Sequence, residues 1–250
     1  GNTRYTGIIT DISERKINEQ LKRDFISTVS HELRTPLTSI NGAVKLLKVQ
    51  GESGVLDPEQ SISMLDVTSR NIDRLSILIN DLLDFEKLES SGLQYVKEDI
   101  HIKTLIAEVI EQTKNISEQA NVRLKENIEE GCEYFIADSQ RVSQILVNLV
   151  SNAIKFSPEN ESVEIGCIAE SSLIKFYVKD HGAGIPAEFK KHLFERFTQA
   201  DSADNRKIQR GTGLGLAISK RMTEDMGGTI GFESAEGQGS TFFITFPVQA

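Results

Sequence analysis

Apolar residues recur at steps of three and four in two long stretches near the start of the chain, residues 17–47 and 62–85. This spacing predicts helices with one apolar face, and its persistence over many turns is typical of a coiled-coil stripe. Residues 51–58 between them are rich in turn formers, and Asp57 before Pro58 predicts the start of the second helix. The pattern therefore predicts a helical hairpin.

Two helices cannot bury such broad apolar faces against each other alone. Two hairpins can do so by pairing into a four-helix bundle. We therefore expect this part of the chain to form a homodimer.

The pattern changes after residue 96. Residues 105–120, 139–156 and 217–222 have helical spacing, whereas residues 122–125, 163–166, 173–178 and 240–246 alternate or are rich in β-branched residues, as strands are. Helices interleaved with strands that end in a hairpin predict an α/β sandwich with one sheet face covered. The fold class is thus multi-domain, α followed by α+β, with a boundary near residues 90–92.

Composition and charge argue against several classes of function and site. The net charge of −9 and pI near 5.1 argue against a nucleic-acid partner. Cys132 and Cys167 are far apart and lack a Cys-x-x-Cys pair, so we expect reduced, partly buried thiols rather than a disulfide or zinc site. No apolar run reaches the ~18–20 residues of a membrane span. The chain starts without Met, so we expect a fragment, which leaves open an anchor or sensor upstream.

His31 lies between Val29 and Leu33 of the apolar stripe. At about 100° per residue its side chain should face solvent, together with Arg34 and Thr35. Glu32 can hold the proton of one ring nitrogen and leave the other free as a nucleophile. The alternative is an ordinary surface histidine. Pro36 removes a backbone donor and should bend the helix just after this position.

Polar residues share one face of the predicted helix 139–156, namely Gln144, Asn148, Asn152 and Lys155. Amide oxygens can bind Mg²⁺ while leaving it several waters and phosphate oxygens. A lysine can contact a phosphate. The alternative is a polar face with no ligand.

Two glycine motifs follow. Asp180, Gly182 and Gly184 come after a strand, and the carboxylate can accept from an exocyclic amine while the glycines let backbone approach a flat base. A plain turn would have the same pattern. Residues 211–215, Gly-Thr-Gly-Leu-Gly, precede a helix whose first amides can bind phosphate. They have neither the Rossmann nor the Walker spacing. The polar residues 198–210 predict a lid.

Together these segments resemble a sensor histidine kinase of the two-component type over nearly the whole chain. Ser-His-Glu-Leu-Arg-Thr-Pro-Leu at 30–37 resembles the family's H-box, and residues 148–156, 180–184, 194–197 and 211–215 resemble its N, G1, F and G2 boxes. Residues 237–242 resemble the closing loop and last strand, and residues 7–16 the end of a PAS sensor domain. The implied domains are a PAS tail at 1–11, a dimerisation and histidine phosphotransfer hairpin at 12–93, and a catalytic ATP-binding domain at 94–250.

The resemblance implies roles for individual residues. His31 would be the phosphoacceptor, Glu32 its base, and Thr35 the residue that positions water in a phosphatase reaction. Asn152 would bind Mg²⁺, with Asn148 and Lys155 near the phosphates, and Asp180 would contact the adenine amino group. The remaining implied ATP-binding residues are Gly182, Gly184, Phe197, Gly211, Thr212, Gly213, Leu214, Gly215 and Thr241.

The implied activity is autophosphorylation of His31 by Mg·ATP, followed by transfer to an aspartate in the receiver domain of a response regulator, in the cytoplasm. Asn148 stands where related topoisomerase ATPases have a glutamate that activates water, so we expect poor ATP hydrolysis. Many relatives have an arginine where this chain has Gln199, and Arg206, Lys207 or Arg210 can supply that charge. The alternatives are a Mg-dependent ATPase, a degenerate kinase that only scaffolds, and a protein that acts mainly as a phosphatase.

Overall fold

The computed structural model describes residues 13–53, 57–89, 95–170, 172–198 and 212–248, with side chains from Phe25 onward. The predicted PAS tail, most of the predicted lid with Arg206, Lys207 and Arg210, and Gly211 lie outside the described residues. The chain divides into two compact units between Ile79 and Asn80. The predicted domain limits at 12–93 and 94–250 remain a prediction.

Two long helices make up the first part of the chain, which confirms the predicted hairpin elements. Helix α1 spans Ser13–Ser53 and continues through Pro36, and α2 spans Pro58–Glu89. Asp57 starts α2 as predicted, because its Oδ1 accepts from the backbone N–H of Glu59 at 3.0 Å and of Gln60 at 3.3 Å. None of the described helices is long and apolar enough to serve as a membrane span.

Apolar side chains of the hairpin remain exposed within a single chain. Ala43 and Leu78 are buried, but many residues of the predicted stripe are about half exposed or more. Those at seven-residue spacing are Leu37 and Val44 on α1, and Leu65, Ile72 and Ile79 on α2. We call these five residues the heptad stripe. Seven-residue spacing of exposed apolar side chains is what a coiled-coil partner covers.

Besides the end of α2, the described residues of the second unit form three α-helices: α3 spans Ile102–Gln119, α4 spans Ser139–Phe156 and α5 spans Gly215–Asp225. The strands are β1 Glu98–His101, β2 Arg123–Ile128, β3 Tyr134–Ala137, β4 Ser162–Glu170, β5 Leu173–Lys179, β6 Thr229–Ser234 and β7 Ser240–Pro247. A five-stranded sheet has the order β2-β4-β5-β7-β6, in which only the β2–β4 pair is parallel. Strands β1 and β3 form a separate antiparallel pair.

The helices cover one face of the large sheet, where the core lies. Side chains at alternate strand positions, such as Ile165, Phe176 and Ile244, are completely buried there. This confirms the predicted α/β sandwich and its closing hairpin, β6–β7. Cys132 and Cys167 are both buried and free, and burial raises the pKa of the Cys167 thiol.

Two aromatic rings lie on the other sheet face. Gly166, Tyr177, Phe243 and Gly231 are neighbours in one row across β4, β5, β7 and β6. A Cβ on Gly166 would come within 2.4 Å of the Tyr177 ring, and one on Gly231 within 2.5 Å of the Phe243 ring. The glycines therefore let the two rings lie flat on the sheet.

Candidate functional site

His31 projects from α1 with 76% of its side chain exposed, as its position between stripe residues predicts. Arg34 and Thr35 are exposed beside it. The Thr35 hydroxyl donates to the carbonyl of His31 at 3.2 Å. The imidazole is thus accessible to a second reactant, and Thr35 lies one helical turn away on the same face.

Glu32 is held by an arginine that the sequence did not point to. Arg74 on α2 donates from Nη2 to Glu32 Oε2 at 3.0 Å, and both side chains are largely buried. The other oxygen, Oε1, lies 3.9 Å from His31 Nδ1. Since Nδ1 is the ring nitrogen nearest the carboxylate, Nε2 is the one available as a nucleophile.

The polar face of α4 is partly engaged by neighbouring elements. Asn148 Nδ2 donates to Ser219 Oγ on α5 at 2.9 Å, and Asn152 Nδ2 lies 3.5 Å from Asn148 Oδ1. Lys155 Nζ lies 5.1 Å from the centre of the Phe156 ring. Gln144, in contrast, donates to Asp84 Oδ2 at 2.6 Å and is separate from the asparagine pair. The structure thus brings Asn148 and Asn152 together.

Asp180 follows β5 and is almost completely buried. Its Oδ1 accepts from the backbone N–H of Gly182 at 2.8 Å and of Ser240 at 3.1 Å. Burial raises the pKa of the Asp180 carboxyl, although these two amides oppose the rise. Within the described parts of the chain, Oδ2 has no hydrogen-bond partner, so it can accept from an amino group.

Glycine is required at Gly182 by close backbone packing. A Cβ there would lie 2.4 Å from the carbonyl oxygen of Phe156. Gly184 has a φ of +70°, which favours glycine. Both glycines lie next to Asp180, as the predicted G1 motif requires.

The end of the F-box packs on the G2 box. The Phe197 N–H donates to the carbonyl of Gly213 at 2.8 Å, and a Cβ on Gly213 would lie 2.8 Å from the Phe197 backbone. Gly213 also has a φ of +71°. The two motifs on either side of the predicted lid therefore meet at its base.

Thr212 is tied to the end of α2, a contact that the sequence did not suggest. Its hydroxyl donates to Asp81 Oδ2 at 2.5 Å, and its Oγ1 accepts from the Leu214 N–H at 3.3 Å. Burial raises the pKa of Asp81, the Thr212 hydrogen bond lowers it, and nearby Asp84 raises it further. The Arg196 guanidinium lies over the Phe85 ring at 4.3 Å. Residues 81–85 therefore hold both the F-box and the G2 box.

Thr241 lies apart from this cluster. It alternates with buried Ser240 and Phe242 on β7 and so shares a sheet face with Phe243. Ser240, which was not singled out from the sequence, instead reaches Asp180 through its backbone N–H. Its position at the start of the predicted last strand was the only available signal.

The polar side chains of α4 suit the binding of a nucleotide with Mg²⁺. The asparagine amide oxygens are ligands of the hard-cation type, and Mg²⁺ keeps several waters and phosphate oxygens besides one or two protein ligands. Within residues 13–53, 57–89, 95–170, 172–198 and 212–248, no group of three or more His, Cys, Asp or Glu could hold a metal ion.

Two family models match this arrangement. Residues 21–91 match the His Kinase A (phospho-acceptor) domain, and residues 137–250 match the histidine kinase-, DNA gyrase B- and HSP90-like ATPase domain. The chain belongs to the sensor histidine kinases. It is 36% identical to the sensor histidine kinase WalK of Bacillus subtilis strain 168, over 96% of this chain and 39% of that protein.

Other relatives agree with this assignment. The sensor protein kinase WalK of Staphylococcus epidermidis is 34% identical over 99% of this chain and 40% of its own length. The chain thus spans about two fifths of the curated relatives it matches.

Solved structures share the fold of both parts. Histidine kinase AdeS of Acinetobacter baumannii has a TM-score of 0.67 at 25% identity, covering 88% of this chain and 98% of that one. Full-length ShkA in complex with AMPPNP has a TM-score of 0.66 at 30% identity, and the match covers 91% of this chain and 46% of that one. Histidine kinase ThkA in complex with the response regulator TrrA has a TM-score of 0.73 at 25% identity, and the match covers 94% of this chain and 65% of that one.

Proposed function

We propose that this chain is the kinase core of a sensor histidine kinase, which autophosphorylates on His31 and passes the phosphoryl group to an aspartate of a response regulator. The observation that carries the proposal is the exposed imidazole of His31, beside a carboxylate, in a chain that also contains an ATPase domain. The solved complexes of ShkA with AMPPNP and of ThkA with TrrA support the nucleotide and the partner.

The first step needs a neutral imidazole. His31 Nε2 attacks the γ-phosphorus of ATP, the bond from that phosphorus to the β,γ-bridging oxygen breaks, and ADP leaves with the bond's electron pair. The Nδ1 proton of the resulting imidazolium is accepted by Glu32, whose Oε1 lies on that side at 3.9 Å. In the second step a receiver-domain aspartate attacks the same phosphorus. The phosphorus–nitrogen bond breaks with its electron pair left on Nε2, and Nδ1 takes its proton back from Glu32, which regenerates the neutral imidazole.

The nucleotide is bound by the second unit in this proposal. Asp180 Oδ2 accepts from the adenine amino group, and Gly182, Gly184, Gly213 and Gly215 leave room for base and phosphates. Asn152 would hold Mg²⁺ through its amide oxygen, and Asn148 and Lys155 would lie near the phosphates. Bound Mg²⁺ would neutralise phosphate charge, and catalysis would rest on positioning and charge stabilisation.

The partner of the hairpin is a second copy of the chain. The exposed heptad stripe supports this, because it leaves two apolar helix faces open in the monomer. Since the reaction consumes ATP, we place this part of the protein in the cytoplasm. Thr35, exposed one turn from His31, is also available to orient water for a phosphatase reaction.

Incubation with Mg²⁺ and ATP labelled in the γ-phosphate tests the proposal. The wild type should acquire label that is lost in acid and kept in alkali, and His31→Ala should acquire none. Label that persists in His31→Ala would show a different acceptor. Steady phosphate release without protein labelling would identify an ATPase, and a failure to bind nucleotide in a calorimetric titration would identify a scaffold.

A further inference from the structure

Ser219 carries a buried hydroxyl for which the sequence suggested no role. It lies on α5, one turn after the G2 box, and is only 2% exposed. Its Oγ accepts from Asn148 Nδ2 at 2.9 Å, a bond between residues 71 positions apart in the chain. A buried hydroxyl that contacts a predicted site residue is a candidate for orienting that residue.

The Asn148 amide is confined on a second side by Gly215. A Cβ on Gly215 would lie 2.5 Å from Asn148 Oδ1 and 3.1 Å from both Cγ and Nδ2. The amide therefore lies flat against the start of α5. Packing confines the amide, and the Ser219 hydroxyl accepts from its Nδ2 end.

The end of Asn148 that faces away from Ser219 meets Asn152. With Nδ2 on Ser219, Oδ1 faces Asn152 Nδ2 at 3.5 Å. Asn152 then keeps its own Oδ1 free, and an amide oxygen is the atom that Mg²⁺ accepts as a ligand. Without the Ser219 hydroxyl, Asn148 Nδ2 would lose this acceptor. In the reversed orientation it would face Asn152, whose Oδ1 would accept from it instead of binding the metal.

We propose that Ser219 is a positioning residue for the magnesium site, which acts through Asn148 to keep the Asn152 carbonyl oxygen available to the ion. This inference rests on the proposed function, because it concerns the metal that accompanies ATP. In this proposal Ser219 acts only through its bond to Asn148 and contacts neither nucleotide nor metal itself. Removing its hydroxyl should therefore weaken the Mg²⁺-dependent part of nucleotide binding and leave the Mg²⁺-independent part intact.

Replacement by valine and by threonine gives a matched test in the full chain. Ser219→Val and Ser219→Thr add the same branched volume at a buried position, but only threonine keeps the hydroxyl. Binding of a non-hydrolysable ATP analogue is measured by calorimetry in Mg²⁺ and in EDTA. In Mg²⁺ we expect Ser219→Val to bind about 10-fold more weakly than Ser219→Thr, the lower end of losses at residues that orient metal ligands. In EDTA the two should agree.

Thr223→Val is the control on the same helix. The Thr223 hydroxyl is also buried but donates to the backbone carbonyl of Ser219 at 2.7 Å, so its loss should leave the Mg²⁺ dependence unchanged. Ser219→Ala, which adds no volume, replaces the valine variant if thermal unfolding shows that valine disturbs the fold, and it should show the same Mg²⁺-specific loss.

The outcomes separate this inference from the proposed function. A wild type whose binding does not tighten with Mg²⁺ would contradict the proposed magnesium site itself. A wild type that responds to Mg²⁺, with Ser219→Val and Ser219→Ala responding equally, would overturn the role of Ser219. Equal losses in Ser219→Val and Ser219→Thr, with Ser219→Ala unchanged, would assign the effect to packing and also overturn it.

Discussion

The two parts of this chain differ in how much of their apolar surface they bury within a single chain. The α/β unit buries side chains such as Phe176 completely, and the rings of Tyr177 and Phe243 lie on its helix-free sheet face. The hairpin leaves the heptad stripe exposed, with Leu65 at 57% and Ile72 at 49%. One unit is complete within the chain, whereas the other requires a partner.

This difference corresponds to the proposed division of roles. A nucleotide site needs fixed groups, and the buried carboxylate of Asp180 with its two backbone donors is one. A phosphoacceptor must instead be accessible to two different reactants, and His31 is exposed on a helix. A long helix that is stable only in a bundle can display such a residue without enclosing it.

The largest effect is expected in the self-contained core. Phe176→Ala should lower the free energy of unfolding of the α/β unit by about 3–5 kcal/mol, because it removes a buried ring and leaves a cavity. Urea unfolding of the full chain at several protein concentrations measures it. The loss should be the same at every concentration, and a concentration-dependent loss would contradict the view that this unit is complete in one chain.

A substitution in the heptad stripe of the hairpin should instead act on the association of two chains. Leu65→Glu should weaken the dimer by about 2–3 kcal/mol per side chain, since it removes apolar area that a partner helix covers. Sedimentation equilibrium should show dissociation at concentrations where the wild type is dimeric. Ser63→Glu, also at an exposed serine of α2 but about 200° around the helix from Leu65, is the control and should leave the association unchanged. A Leu65→Glu variant as dimeric as the wild type would show that this stripe is not the interface.

The helices and strands that the sequence predicted best are those whose ends are set by interactions between residues close together in the chain. Helix α4 begins and ends as predicted, at Ser139 and Phe156, because Asp138 caps it with a bond to the Arg141 N–H at 3.1 Å. Helix α3 begins three residues earlier than predicted, since His101, an unusual capping residue, accepts from the Thr104 N–H. Strands β1 and β3 were not predicted, and the closing hairpin was predicted without residues for its first strand, β6. The first two have four residues each, and β6 contains a glycine.

The residues of the candidate site also fall into two groups, those that the sequence could identify and those that it could not. Motif residues such as His31, Asn152 and Asp180 were identifiable because each belongs to a short, characteristic segment. Their supporting partners were not, because Arg74 is 42 residues from Glu32 and Asp81 is 131 residues from Thr212. Such contacts depend on tertiary packing, which spacing along the chain does not encode.

An intermediate effect is expected at the nucleotide site. Asp180→Asn keeps an oxygen for the Gly182 and Ser240 amides but offers a donor in place of Oδ2, so nucleotide affinity should fall by about 1.5–3 kcal/mol, roughly 10- to 150-fold. Calorimetry measures it. Because burial raises the pKa of Asp180, wild-type affinity should also begin to fall with decreasing pH at a higher pH than for an ordinary aspartate of pKa about 3.9. Unchanged affinity in Asp180→Asn would exclude this carboxylate from adenine recognition.

The smallest effect tests the hydrogen bonds of Tyr177 on the open sheet face of the α/β unit. Tyr177 Oη donates to Glu164 Oε1 at 2.7 Å, and Asn127 Nδ2 donates to Tyr177 Oη at 2.8 Å. Tyr177→Phe should lower the free energy of unfolding by about 1 kcal/mol at neutral pH. Tyr134→Phe, at an exposed tyrosine, is the control and should change it little.

The pH dependence of that loss distinguishes the bond to the Glu164 carboxylate from the bond to Asn127. The bonds from Tyr177 and Asn127 lower the pKa of Glu164, so the stability they add is present above the unfolded pKa of about 4.3 and is lost as pH falls through the lower folded value. The difference between wild type and Tyr177→Phe should therefore shrink in urea unfolding carried out below about pH 4. A constant difference across pH would show that the Glu164 carboxylate adds nothing and that the hydroxyl acts through Asn127 instead.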